Sequence, residues 1–386
     1  MSSSFNNSYE MRLRIIISRL IVLVLPLMSL CRHEACAQTS SVCDYAFGVN
    51  LRPSYVMPTH GFYNGWNDLK KPIRTGGTFD IQYGFRKAYS PTVQGLGLGI
   101  HTFFANELVG TPATIYIFQN VPLVNLSDRL SLGYEWNLGL SSGWKANNVA
   151  LSSSENIFIN VGVLFTWRAG NRWDIIFGPE YTHFSNGDTS FPNGGANTIN
   201  FRVGTRRHHS PSERQASVNV FSADLAGKSF ADRVRYDVSL LGGWRADRSI
   251  NEGHLHIFND KFLLAGLQFN PLYSFNSHLS AGPSLDLLYD RSADLIVDES
   301  GSYSYPSFLH QSAVGLSMRG EINMPIFAVN VGAGYNFSFL GKDLKGIYAT
   351  FALKAFLCDN MFLTVAYRLS SVNYAHNLMC GLGFRL

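Results

Sequence analysis

The feature that most constrains this chain is a two-residue alternation of apolar and polar side chains. Between Leu130 and Leu140 every even position is Leu, Tyr or Trp, and every odd position is Ser, Gly, Glu or Asn. Successive side chains of a β-strand point to opposite faces, whereas a helix would spread these apolar residues around its whole surface. The run therefore predicts a strand with one apolar face, and its eleven residues are enough to cross a membrane.

Similar runs recur along the whole chain, separated by clusters of Gly, Asn, Asp, Ser and Pro. They include residues 95–100, 157–167, 234–240 and 377–386. Their number indicates about 12 to 16 strands, and a barrel of a bacterial outer membrane has an even number. We therefore predict an all-β fold, an antiparallel transmembrane β-barrel of the outer membrane. A large soluble β-sandwich or propeller is the alternative.

The composition favours the barrel. Only 15% of the residues are charged, against about 25% in a typical soluble domain, and 13% are aromatic. A wall that faces lipid cannot carry charge, and aromatic side chains gather at its two interfaces with water. The same composition argues against a disordered chain and a coiled coil. After the N-terminus no apolar run is long enough for a membrane-spanning helix.

The N-terminus predicts export. Arg12 and Arg14 precede an interrupted apolar stretch, residues 15–30, and an Ala-x-Ala site ends at Ala37. This order is typical of a secretory signal peptide. We therefore expect residues 1–37 to be cleaved and residues 38–386 to form a single barrel domain in the bacterial outer membrane.

The cysteines and the net charge point to no further ligand. Cleavage would leave Cys43, Cys358 and Cys380, an odd number at spacings unsuited to a zinc site. The net charge of +4 is too diffuse to indicate nucleic-acid binding. No cluster of Asp, Glu or His has ligand spacing, so neither a metal nor a cofactor is predicted.

One polar segment, residues 181–197, combines groups that could perform chemistry. His183 and Ser185 are two residues apart, so on a strand they share a face, with Cα atoms roughly 6.6 Å apart at about 3.3 Å per residue. A nucleophile beside a base is the minimum for ester hydrolysis through an acyl-enzyme. Both share the register of the apolar residues, which places them on the lipid-facing surface, and Asn197 on the following strand can stand beside His183.

Polar groups that face lipid are costly, and a catalytic site for a lipid substrate would explain them. The alternative is a polar strand end at the level of the lipid headgroups. A second pair with the same spacing, His310 and Ser312, shows that such pairs also arise by chance.

The run His183-Phe184-Ser185-Asn186, followed by Pro192-Asn193 and Gly195, resembles the signature of PagL-type outer-membrane lipid A deacylases. That family is an antiparallel barrel whose His-x-Ser pair cleaves the 3-O-linked acyl chain of lipid A. The resemblance implies that Ser185 is the nucleophile and His183 the general base. It further implies that three residues lie near the oxyanion-stabilising groups: Asn186, Gly187 and Asn193.

The third catalytic residue of the family is a glutamate, and Asn197 occupies the matching position. An amide oxygen can accept a hydrogen bond from imidazole, but it cannot stabilise the imidazolium by charge. The specific resemblance covers residues 95–207. The whole chain is also similar to longer acyloxyacyl-hydrolase-like proteins of Bacteroidetes-type bacteria.

Lipid A in the outer leaflet is the partner that this resemblance implies, and its phosphates need cations. Arg206, Arg207 and Lys145 are candidates for charge-assisted hydrogen bonds to them, although a solvated loop explains the same residues. We thus expect a serine esterase that removes an acyl chain from lipid A. A non-catalytic barrel, either a pore or a structural protein, and an outer-membrane phospholipase are the alternatives.

Overall fold

The computed structural model describes residues 44–86, 92–145, 150–210, 225, 227–251, 254–298, 301–324, 327–370 and 376–386. The predicted signal peptide and Cys43 lie outside the described residues. The first eight strands are β1 (Asp44–Val56), β2 (Thr75–Arg86), β3 (Val93–Thr102), β4 (Gly110–Asn125), β5 (Leu130–Trp144), β6 (Glu155–Arg168), β7 (Trp173–Ser185) and β8 (Ala196–His208).

The remaining strands follow in the C-terminal half. They are β9 (Val234–Asn251), β10 (His254–Ser274), β11 (Leu279–Asp290), β12 (Ile296–Val297), β13 (Tyr303–Ser304), β14 (Ser312–Asn323), β15 (Phe327–Phe339), β16 (Gly346–Cys358), β17 (Met361–Ser370) and β18 (His376–Arg385). Short helices lie at Gly61–Asn64, Asn106–Val109 and Ala231–Arg233. In the described part of the chain, no helix is both long and apolar enough to span a membrane.

The strands form two closed antiparallel barrels of eight strands each. β1 to β8 pair in sequence order, and β8 returns to pair with β1. In the second barrel β9 pairs with both β10 and β18, while β12 and β13 form a separate two-stranded sheet. The all-β antiparallel barrel fold is therefore confirmed. We refer to the two units as the N-terminal and C-terminal barrels.

The expectation of one barrel over residues 38–386 is wrong, although the sixteen barrel strands fall within the predicted range. Alternation is a local property that predicts each strand and its faces. It does not predict which strand the free edge of β8 will meet. That edge pairs with β1, for example Thr205 with Val49, and so closes a barrel before β9 begins.

The apolar register of each strand faces outwards, as the alternation predicts for a barrel in lipid. On β8 the side chains of Ile199, Phe201 and Val203 are each about half exposed, whereas Asn200 and Arg202 are buried in the interior. The C-terminal barrel repeats this arrangement, with outward-facing apolar residues on all its barrel strands. They include Tyr236, Leu240, Leu267, Leu285, Leu316, Val331, Phe351, Leu363 and Phe384.

The interior of the N-terminal barrel is filled by side chains. In its middle, Arg202 donates hydrogen bonds to Glu135 (Nη1 to Oε1, 2.6 Å), to Gln82 (Nη2 to Oε1, 2.8 Å) and to Asn50 (Nε to Oδ1, 2.9 Å). The buried charges of Arg202 and Glu135 are thus paired and hydrogen-bonded to each other, as their removal from water requires.

Towards the end of the barrel where β7 finishes, the interior becomes aromatic. Phe184 packs against Trp144 and Phe158, with ring centroids 4.8 and 5.4 Å away. Phe103 and His101 complete this cluster around the same ring. Because Phe184 lies between His183 and Ser185 in sequence, the cluster anchors the part of β7 that carries both residues.

The connections at the two ends of the N-terminal barrel differ in length. Residues 57–74 and 186–195 join strands at the end where β7 finishes, whereas turns 126–129 and 169–172 join strands at the other end. Outer-membrane barrels have long extracellular loops and short periplasmic turns. The end of β7 is therefore on the long-loop side of the barrel.

Candidate active site

The candidate site forms where β7 ends and β8 begins. Antiparallel pairing places His183 directly opposite Asn197, and Ser185 opposite Ile157 on the other side of β7. His183 and Ser185 are both half-buried on the outer surface, in the same register as Tyr181, which is 40% exposed. The structure thus brings together the three residues that the sequence pattern combined, on the face that parity predicted.

A hydrogen bond joins His183 to Asn197. The distance from His183 Nδ1 to Asn197 Oδ1 is 2.7 Å. Asn197 Nδ2 donates to Thr59 Oγ1 at 2.9 Å, and the Tyr181 hydroxyl donates to Asn197 Oδ1 at 2.6 Å. Since an amide oxygen only accepts, His183 carries its proton on Nδ1 and leaves Nε2 free to accept one.

Tyr181 and Thr59 are contacts that sequence reasoning missed. Tyr181 begins the polar segment 181–197, but its residue type alone predicts no role in ester hydrolysis. Its position two residues before His183, on the same face, was the signal that could have found it. Thr59 comes from the loop after β1, and its separation from Asn197 by 138 residues left no local signal.

Ser185 shares the outward face of β7 with His183. Among the described residues no hydrogen bond joins the two side chains, and the distance that separates a nucleophile from its base often closes only when substrate binds. The other His-x-Ser pair differs. His310 Nδ1 lies 2.9 Å from Ser307 Oγ, and Ser312 Oγ donates to the Phe308 carbonyl at 2.8 Å. Only the first pair has an orienting amide beside its imidazole.

The turn after Ser185 is fixed by three of its own side chains. The Asn186 amide N–H donates to Asn193 Oδ1 at 3.1 Å, and Asn193 Nδ2 donates to Asp188 Oδ1 at 2.9 Å. Asn186 Nδ2 donates to the Ser190 carbonyl at 2.8 Å. The Asp188 carboxylate therefore contacts Asn193, while the hydrogen bond of the imidazole goes to Asn197.

The three residues expected near the oxyanion, Asn186, Gly187 and Asn193, differ in their hydrogen bonds. The N–H of Asn186 already has an acceptor, which Asn193 supplies. In the part of the chain that the structure describes, the N–H of Gly187 has no hydrogen-bond acceptor. Gly187 has φ = 65°, a left-handed conformation that glycine adopts without strain. Its amide is thus a backbone donor two residues after Ser185 that no hydrogen bond of the turn uses.

Two of the three expected phosphate ligands are in the wrong place. Arg206 and Arg207 lie at the far end of β8, paired with Asp174 and Trp173 at the start of β7. Arg206 is buried inside the barrel, 3.5 Å from Glu135, because its register is the inward one. Asn197 has the outward-facing register of β8. Arg206, nine residues later, therefore has the inward-facing one.

Lys145 is the remaining cation of the three, and it lies at the correct end of the barrel. It follows directly after β5 on the long-loop side and is exposed. Its backbone N–H donates to the Val109 carbonyl at 2.9 Å, and its ammonium donates to the Glu107 carbonyl. Among the described residues, no three His, Cys, Asp or Glu side chains are grouped so that they could hold a metal ion.

Comparison with known families adds a finding about the C-terminal barrel. Residues 234–386 match the family model described as acyloxyacyl hydrolase, C-terminal domain. The resemblance to the PagL-type family is thereby confirmed. The match covers the second barrel, whereas the His183 and Ser185 pair, which first indicated the family, lies on the first. A search of the curated proteins finds no match.

Solved structures that are similar to this chain include outer-membrane proteins and an autotransporter domain. An outer membrane channel from Pseudomonas putida F1 has 9% identity over 88% of this chain and 94% of its own, with a TM-score of 0.20. The outer membrane protein Omp33 of Acinetobacter baumannii has 9% identity over 89% and 99%, with a TM-score of 0.18. The β domain of the Bordetella autotransporter BrkA has 9% identity over 89% and 98%, with a TM-score of 0.20. At such scores the fold rests on the strand pairing alone.

Proposed function

We propose that this protein is an outer-membrane serine esterase that removes an ester-linked acyl chain from lipid A. Ser185 Oγ attacks the ester carbonyl carbon, and its proton passes to His183 Nε2. The carbonyl oxygen becomes an oxyanion next to the Gly187 N–H. The C–O bond then breaks, and His183 returns the proton to the leaving alcohol oxygen. Water releases the fatty acid from Ser185 by the same steps.

The observation that carries the proposal is the 2.7 Å contact between His183 Nδ1 and Asn197 Oδ1, next to Ser185. It holds the imidazole in the tautomer that a general base needs. An Asn that faces the imidazole with its NH2 group would impose the opposite tautomer and inactivate the base. The hydrogen bonds of Asn197 to Thr59 and Tyr181 fix the favourable orientation.

The position of the site supports a substrate in the outer leaflet. Ser185 lies on the outside of the barrel at its long-loop end, which is the extracellular end in outer-membrane barrels. Apolar side chains on the same surface, including Ile159, Val161 and Ile199, extend from the site towards the middle of the barrel. A lipid in the outer leaflet would present its acyl chains to this surface and its headgroup to the loops that include Lys145.

The packed interior of the N-terminal barrel argues against the alternative that this barrel is a pore. The described side chains of its middle, among them Arg202, Glu135 and Gln82, are buried and hydrogen-bonded across the lumen. An eight-stranded barrel is just wide enough for side chains to fill it. A channel would require this network to separate.

The test is to express the protein in an outer membrane and to read the acyl composition of lipid A by mass spectrometry. We expect lipid A that lacks one acyl chain, and no loss with Ser185→Ala. Ser312→Ala is the matched control, because it changes the serine of the other His-x-Ser pair, and it should retain activity. Unchanged lipid A, or equal loss with Ser185→Ala, would contradict the proposal. Purified phospholipids assayed in parallel would reveal a phospholipase instead.

A further inference from the structure

The turn that follows Ser185 contacts the C-terminal barrel. The backbone N–H of Ala246, on β9, donates to the Asp188 carbonyl at 2.9 Å. Ala246 is free to do so because it lies at the irregularity in the pairing of β9 with β10, between Arg245 and Asp247. A backbone hydrogen bond thus joins the two barrels three residues after the proposed nucleophile.

A side-chain contact lies beside this hydrogen bond. A Cβ atom built on Gly187 would be 3.1 Å from Leu378 Cβ and 3.0 Å from its Cδ2, so Leu378 of β18 packs directly on the Gly187 backbone. The Ile157 side chain, opposite Ser185 in the sheet, approaches the same Gly187 position to 3.5 Å. Gly187 is thus enclosed by one apolar side chain from each barrel.

These two contacts act on a segment with an unusual backbone. Gly187 has φ = 65° and Asp188 has φ = 62°, two successive residues in the left-handed region. For Asp188 that conformation is unfavourable, and it persists only where the surroundings determine it. Ala246 donates its backbone N–H to the carbonyl of Asp188. The Asp188 carboxylate accepts a hydrogen bond from Asn193, and Asn193 accepts one from the backbone N–H of Asn186.

We propose that the C-terminal barrel completes the active site, with Leu378 as a positioning residue that holds Gly187 in place beside Ser185. This inference rests on the proposed esterase function. The C-terminal barrel contains none of the three residues His183, Ser185 and Asn197. It keeps the Gly187 N–H at the position where the oxyanion forms. The catalytic unit is therefore the pair of barrels, and the matched C-terminal domain acts through the turn at residues 186–188.

The first test compares two leucines on the outward face of β18. Leu378→Ala removes the contact with Gly187, whereas Leu382→Ala makes the same change four residues further along the same face. We expect Leu378→Ala to lower kcat about tenfold with little change in KM, as small misplacements of catalytic groups do. Amide hydrogen exchange in residues 186–190 should rise in the same variant. Leu382→Ala should change neither.

The second test measures the contact without reference to activity. In a background with the native cysteines replaced by serine, Gly187→Cys and Leu378→Cys should form a disulfide on oxidation. The 3.1 Å between their Cβ positions is close to the roughly 3.5–4.5 Å of disulfides. The pair Gly187→Cys and Leu382→Cys is the control that should stay reduced.

The outcomes separate this proposal from the proposed function. No cross-link, or unchanged kcat and exchange in Leu378→Ala, would overturn the positioning role even if the wild-type protein deacylates lipid A. An inactive wild-type protein would overturn the esterase. In that case the cross-link and the exchange data would still decide whether the C-terminal barrel orders the turn.

Discussion

At the scale of single residues, the most informative position is Asn197. It is 8% exposed, and its amide oxygen accepts hydrogen bonds from both His183 and Tyr181. A carboxylate at this position would orient the imidazole in the same way and would also stabilise its positive charge. In the proposed mechanism Asn197 therefore orients the imidazole but contributes no negative charge to stabilise it.

Asn197→Asp should raise the rate of deacylation. The side chain has the same length, and Thr59 can donate its hydroxyl proton to the new oxygen. Hydrogen bonds to charged groups contribute about 1 kcal/mol more than neutral ones, which corresponds to roughly fivefold in rate. Initial rates on purified lipid A would measure it.

Asn197→Leu is the control for that prediction. It removes the acceptor at similar volume, so it should lower the rate well below that of the native protein. If the Asp and Leu variants were equally active, Asn197 would have no orienting role.

At the scale of elements, the β7–β8 hairpin shows what strand parity achieves. One register carries His183, Ser185 and Asn197 to the outer surface, and the other carries Glu180 and Arg202 into the barrel. The two sets therefore perform different tasks within the same hairpin. The outer set forms the candidate site, and the inner set stabilises the barrel wall that carries this site.

The inner set predicts a strong effect on stability. Arg202→Met should destabilise the protein by about 3–5 kcal/mol, because it leaves the buried Glu135 without its closest cation. Urea denaturation in detergent micelles, followed by tryptophan fluorescence, would measure the loss.

Arg207→Met is the matched control on the same strand. Arg207 is exposed and lies 6.0 Å from the Trp173 ring centroid, a contact worth about 0.5–1 kcal/mol. Equal destabilisation by the two variants would mean that the interior network does not support the barrel.

At the scale of the whole molecule, two closed barrels carry apolar belts and meet beside the candidate site. Closure leaves neither barrel with an unpaired strand edge in the membrane, where each unsatisfied backbone group is costly. Contact between the barrels near Gly187 and Leu378 makes the site part of a boundary that neither barrel forms alone.

The apolar outer surface predicts that a charged substitution costs more free energy the closer it lies to the middle of the bilayer. Val203, 49% exposed near the middle of β8, should face the centre of the bilayer. Val203→Lys is expected to cost about 2–4 kcal/mol for insertion or unfolding in liposomes. His209→Lys, just beyond the end of β8, should cost at most about 1 kcal/mol. Equal costs at the two positions would contradict a membrane-spanning orientation.

The amino-acid sequence by itself determined the strands, their two faces and the residues of the candidate site. These follow from a period of two and from spacings of a few residues, which are local properties of the chain. His183, Ser185 and Asn197 were found in this way, and the inward register of Arg206 could have been.

Only the tertiary structure decided that β8 pairs with β1, that Thr59 binds Asn197 and that Leu378 packs on Gly187. Each of these contacts joins residues far apart in sequence. Which distant edges and side chains meet depends on how the barrels close, and backbone pairing has no preference for a partner that a local pattern could reveal. The same chain of alternating strands could close once or twice, and the closure determined where the site lies.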